Sequence, residues 1–96
     1  MRHLAENKEV VRIKQETVRQ DELRDVSFVM QNARGRRLVW RFLESAMVFR
    51  TTFTGNSTTF FNEGRRALGL ELLADIQEVA SDEYQLMVQE AKERNG

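Results

Sequence analysis

The side chains with the clearest capacity for chemistry are the arginines in the middle of the chain. Arg34, Arg37 and Arg41 follow one another at intervals of three and four residues, which places them along one side of a helix. A row of guanidinium groups can bind phosphate or carboxylate groups. We expect either a solvated face that pairs with the acidic C-terminal segment, or contact with nucleic-acid phosphates or another acidic partner.

Residues that perform catalysis or bind metal ions are scarce in this sequence. His3 is the only histidine, cysteine is absent, and no His/Cys cluster has the spacing of transition-metal ligands. No base of the common kind is therefore present for a serine nucleophile. Gly64 and Gly69 have the spacing of a phosphate-binding loop. Leu70 and Glu71, however, stand where that loop has its lysine and its serine or threonine. We expect no enzyme activity, no cofactor and no metal site.

Length and composition favour one small domain. A chain of 96 residues buries a modest share of its surface, so we expect limited stability or support from a partner. The sequence has no proline, which suits helices joined by short connections. No run approaches the roughly 18 apolar residues that cross a bilayer, and no signal peptide is visible. We expect a soluble protein that is made in the cytoplasm and has no membrane contact.

The net charge of zero conceals an asymmetry along the chain. Residues 32–66 carry seven arginines and two glutamates, whereas residues 67–96 carry seven acidic and two basic side chains. This polarity can be satisfied within one fold. It can equally join the basic part of one copy to the acidic part of the next, which builds rings or filaments.

Apolar spacing predicts an all-α fold, a small bundle of four helices with a threonine-rich loop at 48–56. Residues 1–16 are predicted to form an N-terminal extension or arm, and residues 17–96 a single helical domain. Within the arm, EVVRIK also allows a short edge strand, and the arm could dock on a neighbouring subunit. The helices are expected at about 5–31, 33–47, 57–80 and 82–94.

The segment from Phe60 to Ala80 is predicted to be the central helix of the bundle. Its apolar residues cover more than a narrow stripe, which is typical of a helix buried on several sides. Gly64 and Gly69 each cost up to about 1 kcal/mol in a helix interior, so each is expected to have a packing reason. The face expected to point into the core comprises Phe61, Leu68, Leu72, Ile76 and Val79.

The other helices are expected to pack around it through their own apolar faces. In the second helix, Trp40 is expected at the edge of that face, where its indole N–H can find a partner. Caps are expected at Asn32, at Asn56 or Ser57, and at Ser81. The apolar faces are predicted from Leu23, Val26, Met30 and Ala33; from Leu38, Phe42 and Ala46, with Val39, Leu43 and Met47 beside them; and from Tyr84, Met87, Val88 and Ala91.

The stretch GRRLVWRFLESAMVFRTTFTGNSTTFFNEGRRALGLELL resembles the signature of a small family of tailed-bacteriophage proteins of the Bordetella-phage type. In that family, a Gly-Arg-Arg helix with an internal Trp-Arg precedes a loop with Phe-Arg and Phe-Thr-Gly. A Phe-Asn-Glu-Gly-Arg-Arg helix then ends in Gly-Leu-x-Leu-Leu. The resemblance covers about residues 20–93. The matching positions are Gly35, Arg36, Arg37, Trp40, Arg41, Phe49, Arg50, Phe53, Thr54, Gly55, Phe61, Asn62, Glu63, Gly64, Arg65, Arg66, Gly69, Leu70, Leu72 and Leu73.

The resemblance implies a non-enzymatic virion structural or assembly protein that is located in the virion. Such a module would dock in multiple copies, or as a homo-oligomer, on other virion proteins of the head, portal, tail or internal ejection assembly. A buried Arg–Glu network that holds the threonine-rich loop is the simpler account of the motif. The candidate interaction residues are Arg34, Arg36, Arg37, Arg41, Arg50 and Arg66, and the candidate loop-holding residues are Trp40, Phe49, Phe53, Asn62 and Glu63.

An alternative function is that of a small DNA-binding or packaging accessory protein that uses the arginine ridge. The two hypotheses differ in their response to salt, because phosphate binding releases counterions and weakens steeply as salt rises.

Overall fold

The computed structural model describes the backbone of residues 2–96 and the side chains of residues 7–96. Four α-helices and no strand occur in this part of the chain, so the prediction of an all-α bundle of four helices is confirmed. None of the described helices is both long and apolar enough to cross a membrane. The helices are α1 (Arg2–Met30), α2 (Ala33–Ser45), α3 (Thr58–Val79) and α4 (Ser81–Asn95).

Helix α1 is continuous from the N-terminal extension into the body of the protein, so the alternative of an edge strand at EVVRIK is wrong. The side chains of residues 7–22 are exposed, and Arg12 pairs within the helix with Glu9 and Glu16. The helix joins the body where Arg19 forms an ion pair with Asp75 of α3. One helix runs through residue 16, so the division of the chain there into an arm and a domain stays a prediction.

The core lies between the second half of α1, α2, α4 and the second half of α3. The Cα atoms extend only 15 Å in the thinnest direction, which is about the depth of two packed helices. Each helix therefore keeps one side toward solvent. The buried apolar side chains that contact one another are Met30, Val39, Leu43, Ala46, Val48, Ile76, Ala80 and Met87.

The prediction that α3 is a central helix buried on several sides is wrong for its first half. Phe60, Phe61 and Leu68 are 81%, 65% and 62% exposed. Further along the helix, Leu72 and Val79 are half-buried and Ile76 is fully buried. Helix α2 ends at Ser45, so the loop between α2 and α3, and not α2 itself, contacts the first half of α3 at Asn62.

The buried face of α2 is also rotated from the predicted one. Leu38 and Phe42, which were expected in the core, are about half exposed. Val39 and Leu43, expected beside that face, are buried together with Ala46. Both sets have helical spacing, so the periodicity alone could not distinguish them.

The helix ends follow local hydrogen bonding. Asn32 caps α2 as predicted, because its side chain accepts from the backbone N–H of Arg34 at 2.8 Å. Asn56 rather than Ser57 supplies the side-chain cap of α3 and accepts from Thr58 N at 2.9 Å. Ser81 is already the first residue of α4 and provides no side-chain cap.

The end of α2 brings the following chain back along α3. Met47 has a left-handed backbone with φ 62°, and Val48 N donates to Leu43 O at 3.2 Å. Met47 N donates to Glu44 O at 3.0 Å, which completes a Schellman motif. This turn directs Val48 against α3.

The two glycines of α3 differ in their surroundings. At Gly69, a Cβ atom would lie 2.5 Å from Val48 Cγ2 and 2.6 Å from Ala46 Cβ. The expected packing reason therefore exists there, since α3 and the end of α2 touch at this point. At Gly64, a Cβ atom would meet nothing within 4 Å, so the same expectation is wrong for Gly64.

We predict that Gly69→Ala lowers the free energy of unfolding by about 1–3 kcal/mol, because Val48 and Ala46 must move to admit the methyl group. Gly64→Ala is the matched control and should raise it by up to about 1 kcal/mol through helix propensity. Urea unfolding followed by far-UV circular dichroism measures both. Equal stabilisation by the two substitutions would contradict the close approach at Gly69.

Candidate functional site

A cluster of arginines surrounds a surface cavity of about 450 Å³ between α2 and the end of α4. Arg34, Arg37 and Arg41 come from one side of α2, and Arg94 from the last turn of α4. We call this the arginine cavity. Leu38, Trp40, Glu44 and Asn95 complete its lining.

The arginine cavity is strongly basic. Glu44 is the one carboxylate among the described residues of its lining, and no ion pair joins Arg34, Arg37 or Arg41 to a carboxylate within residues 7–96. The expected pairing of this ridge with the acidic C-terminal segment is therefore absent in the part of the chain that is described. These guanidinium groups remain available to an anionic partner.

Arg36 belongs to the interior and not to the exposed ridge. Its Nε and Nη2 atoms donate to Glu90 of α4 at 2.8 Å and 3.2 Å, and its Nη1 donates to Met30 O at 2.8 Å. The side chain is buried, so its prediction as an interaction residue is corrected. Its partner Glu90 lies 54 residues away along the chain, so local sequence spacing gave no signal of this pairing.

The pairing shifts the titration of both partners. The bidentate hydrogen bond from Arg36 is the main cause that lowers the pKa of Glu90, and it outweighs the opposing effect of burial. The same hydrogen bond raises the pKa of Arg36. Both groups are therefore charged at neutral pH, as expected for a charge-assisted pair.

The threonine-rich loop is attached to the first half of α3 through two buried residues, Thr52 of the loop and Asn62 of the helix. Asn62 Nδ2 donates to Thr52 O at 3.3 Å, and Thr52 Oγ1 donates to Glu63 Oε1. Thr52 and Asn62 are both buried. The structure thus places Asn62 and Glu63 against the loop, through its backbone and a hydroxyl group rather than through an arginine.

The aromatic residues proposed to hold the loop differ in placement. Phe49 stacks on Trp40 with ring centroids 5.1 Å apart and an interplanar angle of 23°. Trp40 Nε1 is buried, and the described residues do not supply the expected hydrogen-bond partner. Phe53 is 76% exposed and does not pack on the core.

Arg50 and Arg66 lie around a second cavity, separate from the first. This shallow cavity of about 550 Å³ follows the threonine-rich loop, and Glu63 and Thr52 also line it. We call it the loop cavity. The Nε atom of Arg66 is buried without a hydrogen-bond partner in the described chain. The predicted interaction set is therefore divided among the arginine cavity, the loop cavity and the interior.

Sequence reasoning missed an exposed apolar surface between α2 and α3. Phe42 and Leu68 face each other across a cavity of about 250 Å³, whose lining includes Ala46 and Arg65. The guanidinium of Arg65 lies 5.0 Å from the ring centroid of Phe61. We call the exposed side chains of Leu38, Phe42, Phe61 and Leu68 the apolar strip.

No group of three or more His, Cys, Asp or Glu side chains that could hold a metal ion occurs among the described residues.

The comparison with protein families confirms the resemblance to a phage family. The model of the Bbp19-like phage protein family matches residues 26–89, which is well over half of the chain. The match begins near the end of α1 and includes all of α2 and α3. No curated protein and no solved structure matches the chain at a significant level.

We predict that Arg36→Met lowers the free energy of unfolding at pH 7 by about 3 kcal/mol, because Glu90 and Met30 O lose their common donor. Arg34→Met, a change of an exposed arginine on the same helix, should stay within about 0.5 kcal/mol of the original chain. Urea unfolding measures both. Equal effects of the two substitutions on the free energy of unfolding would contradict a stabilising role of the Arg36–Glu90 ion pair.

The same ion pair predicts a dependence of stability on pH. The pKa of Glu90 is lowered in the folded protein. Its contribution to the free energy of unfolding is therefore fully present above the pKa that Glu90 has in the unfolded chain, and is lost as pH falls through its pKa in the folded chain. In the Glu90→Gln variant, this part of the decrease in the free energy of unfolding at low pH should be absent. Unfolding curves from pH 7 down to pH 3 compare the two chains, and parallel curves would contradict the assignment.

Proposed function

Because the chain belongs to the Bbp19-like phage protein family, we propose that it is a non-enzymatic structural or assembly protein of the virion. In this proposal the chain docks in multiple copies on other virion proteins. The head, the portal, the tail and an internal ejection assembly are the places where such a module can serve.

The observation that carries the proposal is the apolar strip on a small helical body. Monomeric soluble proteins rarely expose contiguous apolar patches of large extent, and such patches typically mark contacts with other proteins. Leu38, Phe42, Phe61 and Leu68 are each 46% exposed or more, whereas the smaller Val39 and Ala46 are buried. A docking module needs this distribution, because the strip becomes buried only in the assembly.

The extended first half of α1 supports the same function. Its side chains are exposed over residues 7–22, and Arg12 pairs within the helix with Glu9 and Glu16 before Arg19 contacts Asp75 of the body. A projecting helix of this kind gives a small module a second element for contact with neighbours.

The arginine cavity favours a second candidate function, a DNA-binding or packaging accessory protein. Four guanidinium groups converge there with one opposing carboxylate in the described lining. Contact with the phosphates of a duplex would use this charge without any requirement for base recognition.

For the first candidate, we expect mass analysis of purified virions to detect this chain in multiple copies per particle. Treatment of emptied particles with nuclease should leave it in place, because the proposed partners are proteins. Quantification against the major capsid protein gives the copy number. A particle without the chain would contradict the proposal, and its release by nuclease would favour the second candidate.

For the second candidate, binding through four arginines predicts a steep response to salt. Affinity for duplex DNA should fall about 100-fold between 50 and 200 mM salt, since about four phosphate contacts release counterions. Arg37→Glu should abolish the gel retardation, whereas Arg24→Glu, on the exposed side of α1, should retain most of it. No retardation at 50 mM salt would remove this candidate.

A further inference from the structure

The apolar strip has a basic border. Arg34 and Arg41 stand on α2 beside Leu38 and Phe42, and they also line the arginine cavity. On α3, Arg65 lies over Phe61 and donates to Ser45 O at 3.5 Å. The surface therefore selects a partner that is apolar at its centre and acidic at its edge.

The exposed face of α4 has this composition. Leu86 is 46% exposed, and Asp82 and Glu93 lie four residues before it and seven after it on the same side of the helix. Gln89, between them, donates to Glu93 Oε1 at 3.3 Å. The opposite side of α4 faces the core through Met87 and Ala91, so this acidic face is directed away from the body.

From this complementarity we infer that the apolar strip of one copy docks on the acidic face of α4 of a second copy. Leu86 would pack against Phe42 and Leu68, while the carboxylates of α4 would meet the arginine border. This inference rests on the proposed function, because it names the partner of a module that assembles in multiple copies. A contact between two different surfaces repeats from copy to copy until symmetry closes it.

Sedimentation velocity of the purified full chain tests the contact. We expect reversible association that strengthens with protein concentration and weakens between 50 and 500 mM salt, because the charged border is screened. Phe42→Glu should weaken the association at least about tenfold, as loss of a central interface side chain does. Leu68→Glu is a second change in the apolar strip and should act in the same direction.

A matched control comes from the same chain. Phe60→Glu changes an aromatic residue that is more exposed than Phe42 but lies outside the apolar strip and the acidic face. It should leave the association unchanged. Circular dichroism of each variant should match that of the original chain, since the substituted side chains are exposed.

Complementation distinguishes this contact from any other self-association. Leu86→Glu damages the acidic face and keeps the apolar strip, while Phe42→Glu does the reverse. Each variant alone should be monomeric at concentrations where the original chain associates. A mixture of the two should form a one-to-one complex, because one intact pair of surfaces remains.

The inference fails if the original chain is monomeric at millimolar concentration, if Phe60→Glu is as disruptive as Phe42→Glu, or if the mixture stays monomeric. These outcomes leave the proposed function standing when virions contain the chain, since another virion protein would then be its partner. Conversely, complementation in vitro with no chain in the virion would retain this contact and overturn the proposed function.

Discussion

The guanidinium of Arg36 connects three helices at one point. From α2 it donates to Met30 O, at the end of α1, and to both carboxylate oxygens of Glu90 on α4. A carbonyl at the end of a helix has no partner within that helix, and a buried guanidinium is costly without acceptors. The guanidinium of Arg36 thus supplies the donor that Met30 O needs, while Met30 O and Glu90 supply its acceptors. These bonds hold the turn between α1 and α2 against α4. The side of α2 that carries Arg34, Arg37 and Arg41 is consequently turned outward.

The protein is only about two helices deep. It can bury one side of each helix, so apolar residues beyond that side remain in contact with water. In α3 the division is abrupt at Gly69, where the helix meets Ala46 and Val48. Before Gly69, the loop contacts α3 through Thr52 but leaves Phe60, Phe61 and Leu68 exposed. The exposed apolar side chains of the first half of α3 therefore lie beside the loop, beyond the end of α2 at Ser45.

Prediction from the sequence was reliable for the elements and weaker for their faces. The four helices, the loop between α2 and α3, and the Asn32 cap depend on neighbours within a few residues. The burial of Phe42 or Val39 depends on which helix lies beside α2, and both fit the same period. For the candidate site, Arg34, Arg37 and Arg41 do share one side, whereas Arg36 was misplaced because its partner Glu90 is 54 residues away.

The sequence by itself determined the helical class, the family resemblance and the scarcity of catalytic groups, since each depends on residue types and on local order. Tertiary structure decided which arginines are free, which glycine is a contact point and which apolar residues remain outside. The physical reason is that burial and charge pairing are properties of two surfaces in contact. The periodicity of a helix is compatible with several buried faces, and the neighbouring helices determine which of them is buried.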